Sequence, residues 1–177
     1  MLEIQFRRKF EAAHRFIEGE TRGTLCGQPH GHTWHVTVTL ASKSPKTLNF
    51  STNTLVPFAI AKKKWHQWID NCVDHSFMFN KKDALLEFML KDNPQGRHLI
   101  MPGDPTTEMV AMTFMSKFDC FLKEVDENLF CSSITIDETQ TNTVHFSGNP
   151  QEHLPQSQNS SDFWWNRADL SINDLKL

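Results

Sequence analysis

Hydrophobic and polar residues alternate along the first fourteen positions of the chain. Leu2, Ile4, Phe6, Phe10, Ala12 and His14 fall on one face, and Glu3, Gln5, Arg7, Lys9 and Glu11 on the other. This is the two-residue period of a strand with one buried face. Arg8 breaks the pattern and predicts a bulge. The same period returns over 30–41, with His30, His32, Trp34, Val36, Val38 and Leu40 opposite Thr33, His35, Thr37 and Thr39. A loop carrying Gly19, Gly23 and Gly27 joins the two, so they read as an antiparallel hairpin. The end of the first strand then lies beside the start of the second. His14 is thereby brought close to His30 and His32, on the face that carries the apolar side chains.

A third strand is predicted over 46–53. Phe58, Trp65, Trp68, Ile69 and Cys72 then recur at helical spacings and predict a helix over 55–73. "VDHSFMFN" reads as a turn, "DALLEFMLKD" as a short helix ending before Asn93-Pro94, and "RHLIMP" as an extended segment. Pro105 opens a longer helix to Val125, with Glu108 in its first turn and Val110, Phe114, Phe118, Phe121 and Leu122 on one stripe. Residues 131–147 form one or two strands in which Ile134, Ile136 and Glu138 share a face. The order β-β-β-α-α-β indicates an α+β domain over 1–148, with helices on one side of an antiparallel sheet. From 149 the chain turns polar, "NPQEHLPQSQNSS", in the manner of a linker. The aromatic segment "DFWWNRADLSINDLKL" completes a 149–177 tail. It is too short for a core of its own and is expected to dock on the body or on a neighbour.

Composition narrows the class. A chain of 177 residues suits one domain with an appendage. With 18 Lys plus Arg against 21 Asp plus Glu, the net charge of −3 gives no electrostatic reason to expect nucleic acid or an anionic membrane as partner. The charged N-terminus lacks a signal-like apolar stretch, and no apolar run approaches a membrane span. Cys26, Cys72, Cys120 and Cys131 form no CxxC pair. The last three sit in apolar surroundings and read as reduced core residues. A soluble cytoplasmic protein is expected.

Three histidines meeting at one end of a hairpin have the geometry of a metal site. Alternate strand residues point the same way, so His30 and His32 form a pincer and His14 adds a third nitrogen. Three neutral imidazoles suit zinc, and a three-ligand site leaves one tetrahedral position open, as in catalytic zinc. One such histidine alone would be an ordinary polar residue at a strand end. Cys26, only four residues before His30, admits two readings. As a fourth ligand it closes a structural His3Cys site. As a non-ligand neighbour, its thiolate is favoured by the cation and available as base or nucleophile.

"FEAAHRF", "CGQPHGHTWHVTV", "VDHSFMFN", "DPTTEMVA" and "ITIDETQT", in that order, resemble the 6-pyruvoyltetrahydropterin synthase superfamily over roughly residues 4–147. The bacterial branch, the 6-carboxy-5,6,7,8-tetrahydropterin synthases of the queuosine (7-deazaguanine) pathway, is nearest, because the gap between the cysteine and His-Gly-His is similar. The resemblance implies a tunnelling fold: a four-stranded antiparallel sheet with two main helices on one face, closed between subunits into a barrel as a trimer or hexamer. It places zinc on His14, His30 and His32, the catalytic cysteine on Cys26 and an acid/base pair on Asp74 and His75. Two pterin-contacting carboxylates fall on Glu108 and Glu138. The implied substrate is 7,8-dihydroneopterin triphosphate, which loses triphosphate and acetaldehyde. A pyruvoyl-forming synthase and a non-catalytic pterin- or zinc-binding protein on the same scaffold are the alternatives. Asn49-Phe50 departs from the family's Asp-Phe, and 81–101 and 149–177 depart from its compact members.

Read without the resemblance, "DHSF" is an ordinary polar turn and Glu108 a first-turn charge favourable to the helix dipole. Glu138 is more telling, since a carboxylate on an inward face needs a partner. The 2-amino-pyrimidinone edge of a pterin offers it two adjacent N–H donors.

Overall fold

The computed structural model describes residues 2–44 and 48–174. Strands β1 (Glu3–His14) and β2 (His30–Ser42) form the antiparallel hairpin that the alternation predicts. Their register runs from Glu3 opposite Ala41 to His14 opposite His30. Arg8 pairs with Val36 without interruption, so the predicted bulge is absent there. It stands on the face of Phe6 and Phe10, and its guanidinium grips Asp70 at 2.8 and 2.6 Å. A bidentate partner, rather than a kink in the backbone, lets a cation occupy that face. The register shift of this sheet lies between Thr39 and Leu40, where β2 meets β5 (Leu129–Asp137).

The sheet has six strands, not the four expected, and it is mixed. Ser76–Asn80 (β3) runs parallel to the end of β1, and His98–Met101 (β4) runs parallel to β3. Thr143–Phe146 (β6) pairs antiparallel with β5, giving the order β4-β3-β1-β2-β5-β6. β3 lies inside "VDHSFMFN", read above as a turn. With four or five residues each, β3 and β4 are too short to show a period. Met78, Phe79 and Asn80 of β3 are all buried, as parallel strands covered on both faces are. The third strand predicted over 46–53 lies partly outside the described residues. Its remainder is a turn in which the Asn49 carboxamide oxygen accepts from the Ser51 amide at 2.9 Å and Asn49 bridges Thr54. Local asparagine bonding wins there over extension.

The helix predicted over 55–73 starts later and is divided into Phe58–Ala61 (α1), Lys63–Trp68 (α2) and a π-helical turn over Ile69–Val73. Helix α3 spans Ala84–Asp92, with Asp83 as its N-cap. Helix α4 spans Thr107–Val125, with Thr106 as its N-cap. The α4 stripe packs onto the inward face of the sheet and against the α2 tryptophans: Trp68 lies 4.9 Å from Phe114, Trp65 5.2 Å from Phe118, and Phe10 5.8 Å from Phe114, ring centre to ring centre. Burial of such rings dominates a core of this size. Among the described residues no helix is long and apolar enough to cross a membrane.

The aromatic part of the tail lies on this body. Phe163, Trp164 and Trp165 are buried, and Trp164 stacks on Trp68. The Trp164 carbonyl accepts from Lys117 Nζ at 2.8 Å, in a ring of Trp68, Phe121 and Trp164. Ile100 of β4 donates its amide to the Ile172 carbonyl and accepts from Trp164 Nε1. The tail therefore satisfies backbone groups on the outer edge of β4 that would otherwise be free to pair with another chain.

Candidate functional site

The hairpin register sets the geometry. His14 faces His30 across the pair and Ala12 faces His32, so the three rings close on one another with centres 4.5, 5.2 and 5.0 Å apart. One nitrogen from each ring lies within 4.8 Å of the other two. Backbone carbonyls fix two of the rings. His14 Nδ1 is 2.9 Å from the Pro105 carbonyl and His30 Nδ1 is 2.8 Å from the Gln28 carbonyl. A carbonyl only accepts, so both Nδ1 atoms carry the hydrogen and both Nε2 lone pairs stay free for another partner. The first contact depends on where α4 begins. With Thr106 as cap, the Pro105 carbonyl lies outside the helix and remains available.

His14 is fully buried, and its Nε2 has no hydrogen-bond partner among the described residues. Burial lowers its pKa from 6.5 to about 4, outweighing the Pro105 carbonyl and Glu138, which act to raise it. Burial lowers that of His32 as well. Neutral imidazole is the metal-binding form. Glu138 Oε1 is 3.7 Å from His14 Nε2, too far for a hydrogen bond, and neutral His14 gives it no ion pair. A buried lone pair without a partner, facing two more imidazoles, fits a cation held by three nitrogens.

A cavity of about 580 Å3 opens at this cluster, lined by Cys26, His30, His32, Glu108 and Glu138, with Thr106, Asn142 and Phe16 among its other walls. Cys26 shares the cavity, but its sulfur is not part of the tight three-nitrogen group. A 310-helical turn over Leu25–Gly27 presents it, capped by the Thr24 hydroxyl, which accepts from the Cys26 amide. The other three thiols are pushed up by burial and lie away from this cavity, which Cys26 lines.

Asp74 and His75 lie elsewhere. His75 Nδ1 donates to Asp74 Oδ2 at 2.8 Å, and the second Asp74 oxygen accepts from the Glu11 amide. Burial acts against the Asp74 carboxylate, but the Glu11 amide and the His75 ring, with Arg97 beyond them, hold its pKa below the usual value. His75 takes φ of +61°, a strained conformation for a non-glycine residue, and its side chain is largely exposed. Within one chain the pair is absent from the Cys26 cavity. His75 instead lines a shallow depression across the strand ends that meets the cavity only at His32. Sequence reasoning missed the carbonyls of Pro105 and Gln28, which orient two rings; a backbone acceptor leaves no residue-type signature.

The chain belongs to the 6-pyruvoyl tetrahydropterin synthase family, whose pattern it matches over residues 3–149. A Bacillus subtilis protein named 6-carboxy-5,6,7,8-tetrahydropterin synthase is 30% identical over 130 residues, 73% of this chain and 74% of that one. A Rickettsia bellii protein of the same name is 24% identical over 139 residues, 78% of this chain and 95% of that one. The fold is shared with the 6-pyruvoyl tetrahydropterin synthase of Caenorhabditis elegans, with a TM-score of 0.54 at 22% identity over 84% of this chain and 96% of that one.

Proposed function

We propose that this chain is a zinc-dependent lyase of the 6-carboxy-5,6,7,8-tetrahydropterin synthase type. It converts 7,8-dihydroneopterin triphosphate and one water to 6-carboxy-5,6,7,8-tetrahydropterin with loss of triphosphate and acetaldehyde, in the queuosine (7-deazaguanine) pathway. The names of the two bacterial relatives support the reaction. The observation that carries the reading is the buried, partnerless Nε2 of His14 facing His30 and His32, which line a cavity together with a thiol and two carboxylates.

His14, His30 and His32 hold the zinc. When bound, zinc supplies Lewis acidity toward oxygens of the substrate side chain. Glu138, at the end of β5, and Glu108, in the first turn of α4, bind the pterin; a single carboxylate accepts from both adjacent N–H donors of its 2-amino-pyrimidinone edge. Cys26, as thiolate, removes a proton from a side-chain carbon, and His75, aligned by Asp74, returns one. The Asp74–His75 pair lies outside the Cys26 cavity of its own chain, which supports a homotrimer or hexamer in which a neighbouring copy brings that pair to the cavity. Four free thiols suit a reducing compartment, and we place the enzyme in the cytoplasm.

Incubating the zinc-loaded protein with 7,8-dihydroneopterin triphosphate tests the reading. Release of acetaldehyde with triphosphate is expected. Triphosphate without acetaldehyde would instead identify pyruvoyl-forming chemistry, and neither product would leave a binding protein.

A further inference from the structure

A second hollow of about 320 Å3 opens beside the metal cavity. Phe16 lines both, Cys26 lines the first and Gly27 the second, and the Phe16 amide donates to the Cys26 carbonyl at 2.9 Å. One wall thus separates the reactive thiol from this hollow. Its charged lining is Arg15, Arg22 and Lys82 against a single carboxylate, Asp83.

The three cations differ in how they are held. Asp83 is buried, caps α3 through the Leu85 amide and clasps one edge of Arg15, with Nε donating at 2.8 Å and Nη2 to the other oxygen. Arg15 is therefore fixed by an anion it cannot leave, and its Nη1 makes no hydrogen bond among the described residues. Arg22 is exposed and has no ion-pair partner among the described residues. Its carbonyl would lie 2.1 Å from a Cβ on Gly27, so the loop that carries it is packed directly onto the shared wall. Lys82 meets Glu18 at 3.0 Å with both side chains exposed, a surface pair of little worth that a stronger anion displaces. With Arg22 unpaired among the described residues, Lys82 answered only by the exposed Glu18 and one edge of Arg15 open, the hollow suits a polyanion with several oxygens, and guanidinium forks match phosphoryl groups.

We propose that this hollow binds the phosphoryl chain of the substrate, with Arg22, Lys82 and the free edge of Arg15 as donors, while the pterin and its carbon side chain occupy the adjoining cavity. The assignment rests on the dihydroneopterin triphosphate reading above.

The test uses the full-length, zinc-loaded protein as wild type, Arg22→Ala and Lys82→Ala. Both positions are exposed, and thermal melts within about 2 °C of wild type establish that the variants fold. Calorimetric titration with inorganic tripolyphosphate is expected to show salt-sensitive binding that weakens about tenfold in each variant. Binding of neopterin, which lacks phosphates, stays within about twofold, and KM for the triphosphate substrate rises while kcat holds. Unchanged tripolyphosphate affinity and KM in both variants overturn the proposal. Orthophosphate bound as tightly as tripolyphosphate overturns it in favour of a simple phosphate site. If no turnover is found but tripolyphosphate binding is present and lost in the variants, the anion site stands and the reaction assigned above fails.

Discussion

His14 donates its Nδ1 hydrogen to the Pro105 carbonyl at 2.9 Å, tying the last residue of β1 to the entry of α4 across 91 positions of sequence. This bond fixes the tautomer and turns Nε2 toward His30 and His32. It is made in a fully buried setting, so the ring is held neutral, with a pKa of about 4 against 6.5 for an exposed histidine.

A pH dependence follows. At pH 7.5 His14 is neutral in both folded and unfolded chains and contributes nothing. As the pH falls from about 6.5 to about 4, the unfolded chain takes up a proton that the folded chain refuses, so the metal-free fold loses on the order of 3 kcal/mol. Urea unfolding of chelator-treated protein at pH 7.5 and pH 5 should capture about 2 kcal/mol of this loss. A His14→Ala variant should lack this part of the slope, and an identical slope in the two proteins contradicts a buried neutral ring.

Gly27 is predicted to be irreplaceable, whereas Gly23 is not. A Cβ on Gly27 would lie 2.1 Å from the Arg22 carbonyl oxygen and 2.8 Å from its carbon, and backbone cannot step aside as a flexible side chain does. Gly27→Ala should cost about 1–3 kcal/mol and displace the neighbouring Cys26, lowering turnover about tenfold or more with zinc retained. A Cβ on Gly23 meets nothing within 4 Å, and Gly23→Ala should change both by little. Denaturant melts and zinc content of the two variants make the comparison.

Lys117 holds the tail. It is fully buried on α4, and its ammonium donates to the Trp164 carbonyl at 2.8 Å and pairs with Asp169 at 3.3 Å. Lys117→Met keeps the volume but removes the cation facing Asp169 and leaves the Trp164 carbonyl only the Arg167 amide at 3.3 Å, at a cost of about 1–3 kcal/mol. Tryptophan emission should shift to the red and the segment before Phe163 should be cleaved faster by protease. Unchanged emission and cleavage would show that the aromatic rings and the hydrogen bonds to β4 hold the tail without Lys117.

Assembly is predicted from the separation of Asp74–His75 from Cys26. Light scattering at micromolar concentration should give the mass of a trimer or hexamer, and mixing inactive Cys26→Ala with inactive His75→Ala subunits should restore part of the activity. A monomeric, fully active protein would place the acid/base pair in the wrong copy.

The hairpin and the meeting of its three histidines were legible because a two-residue period, a glycine-bearing loop and a pair of adjacent strands leave one register that buries the apolar face. The α4 stripe was legible for the same kind of reason. β4 falls within the extended segment read over 97–102, but β3 was read as a turn, because so short a strand carries no measurable period, and the parallel pairing of both is decided by distant segments. Arg8 misled, since its partner Asp70 arrives on a π-helical turn that no spacing announces. The separation of Asp74–His75 from Cys26 was equally hidden, because residue order does not say which face of a neighbouring strand a turn reaches. Arg22 carries no motif; only the packing of its loop onto Gly27 brings it to the hollow.

Zinc content and coordination test the central claim most directly. Freshly purified protein should carry one zinc per chain, with X-ray absorption showing nitrogen and oxygen neighbours and no sulfur. Cys26→Ala should keep the metal and His14→Ala should lose it. Wild-type protein without metal, or zinc bound through the Cys26 sulfur and lost in Cys26→Ala, would contradict the three-histidine site.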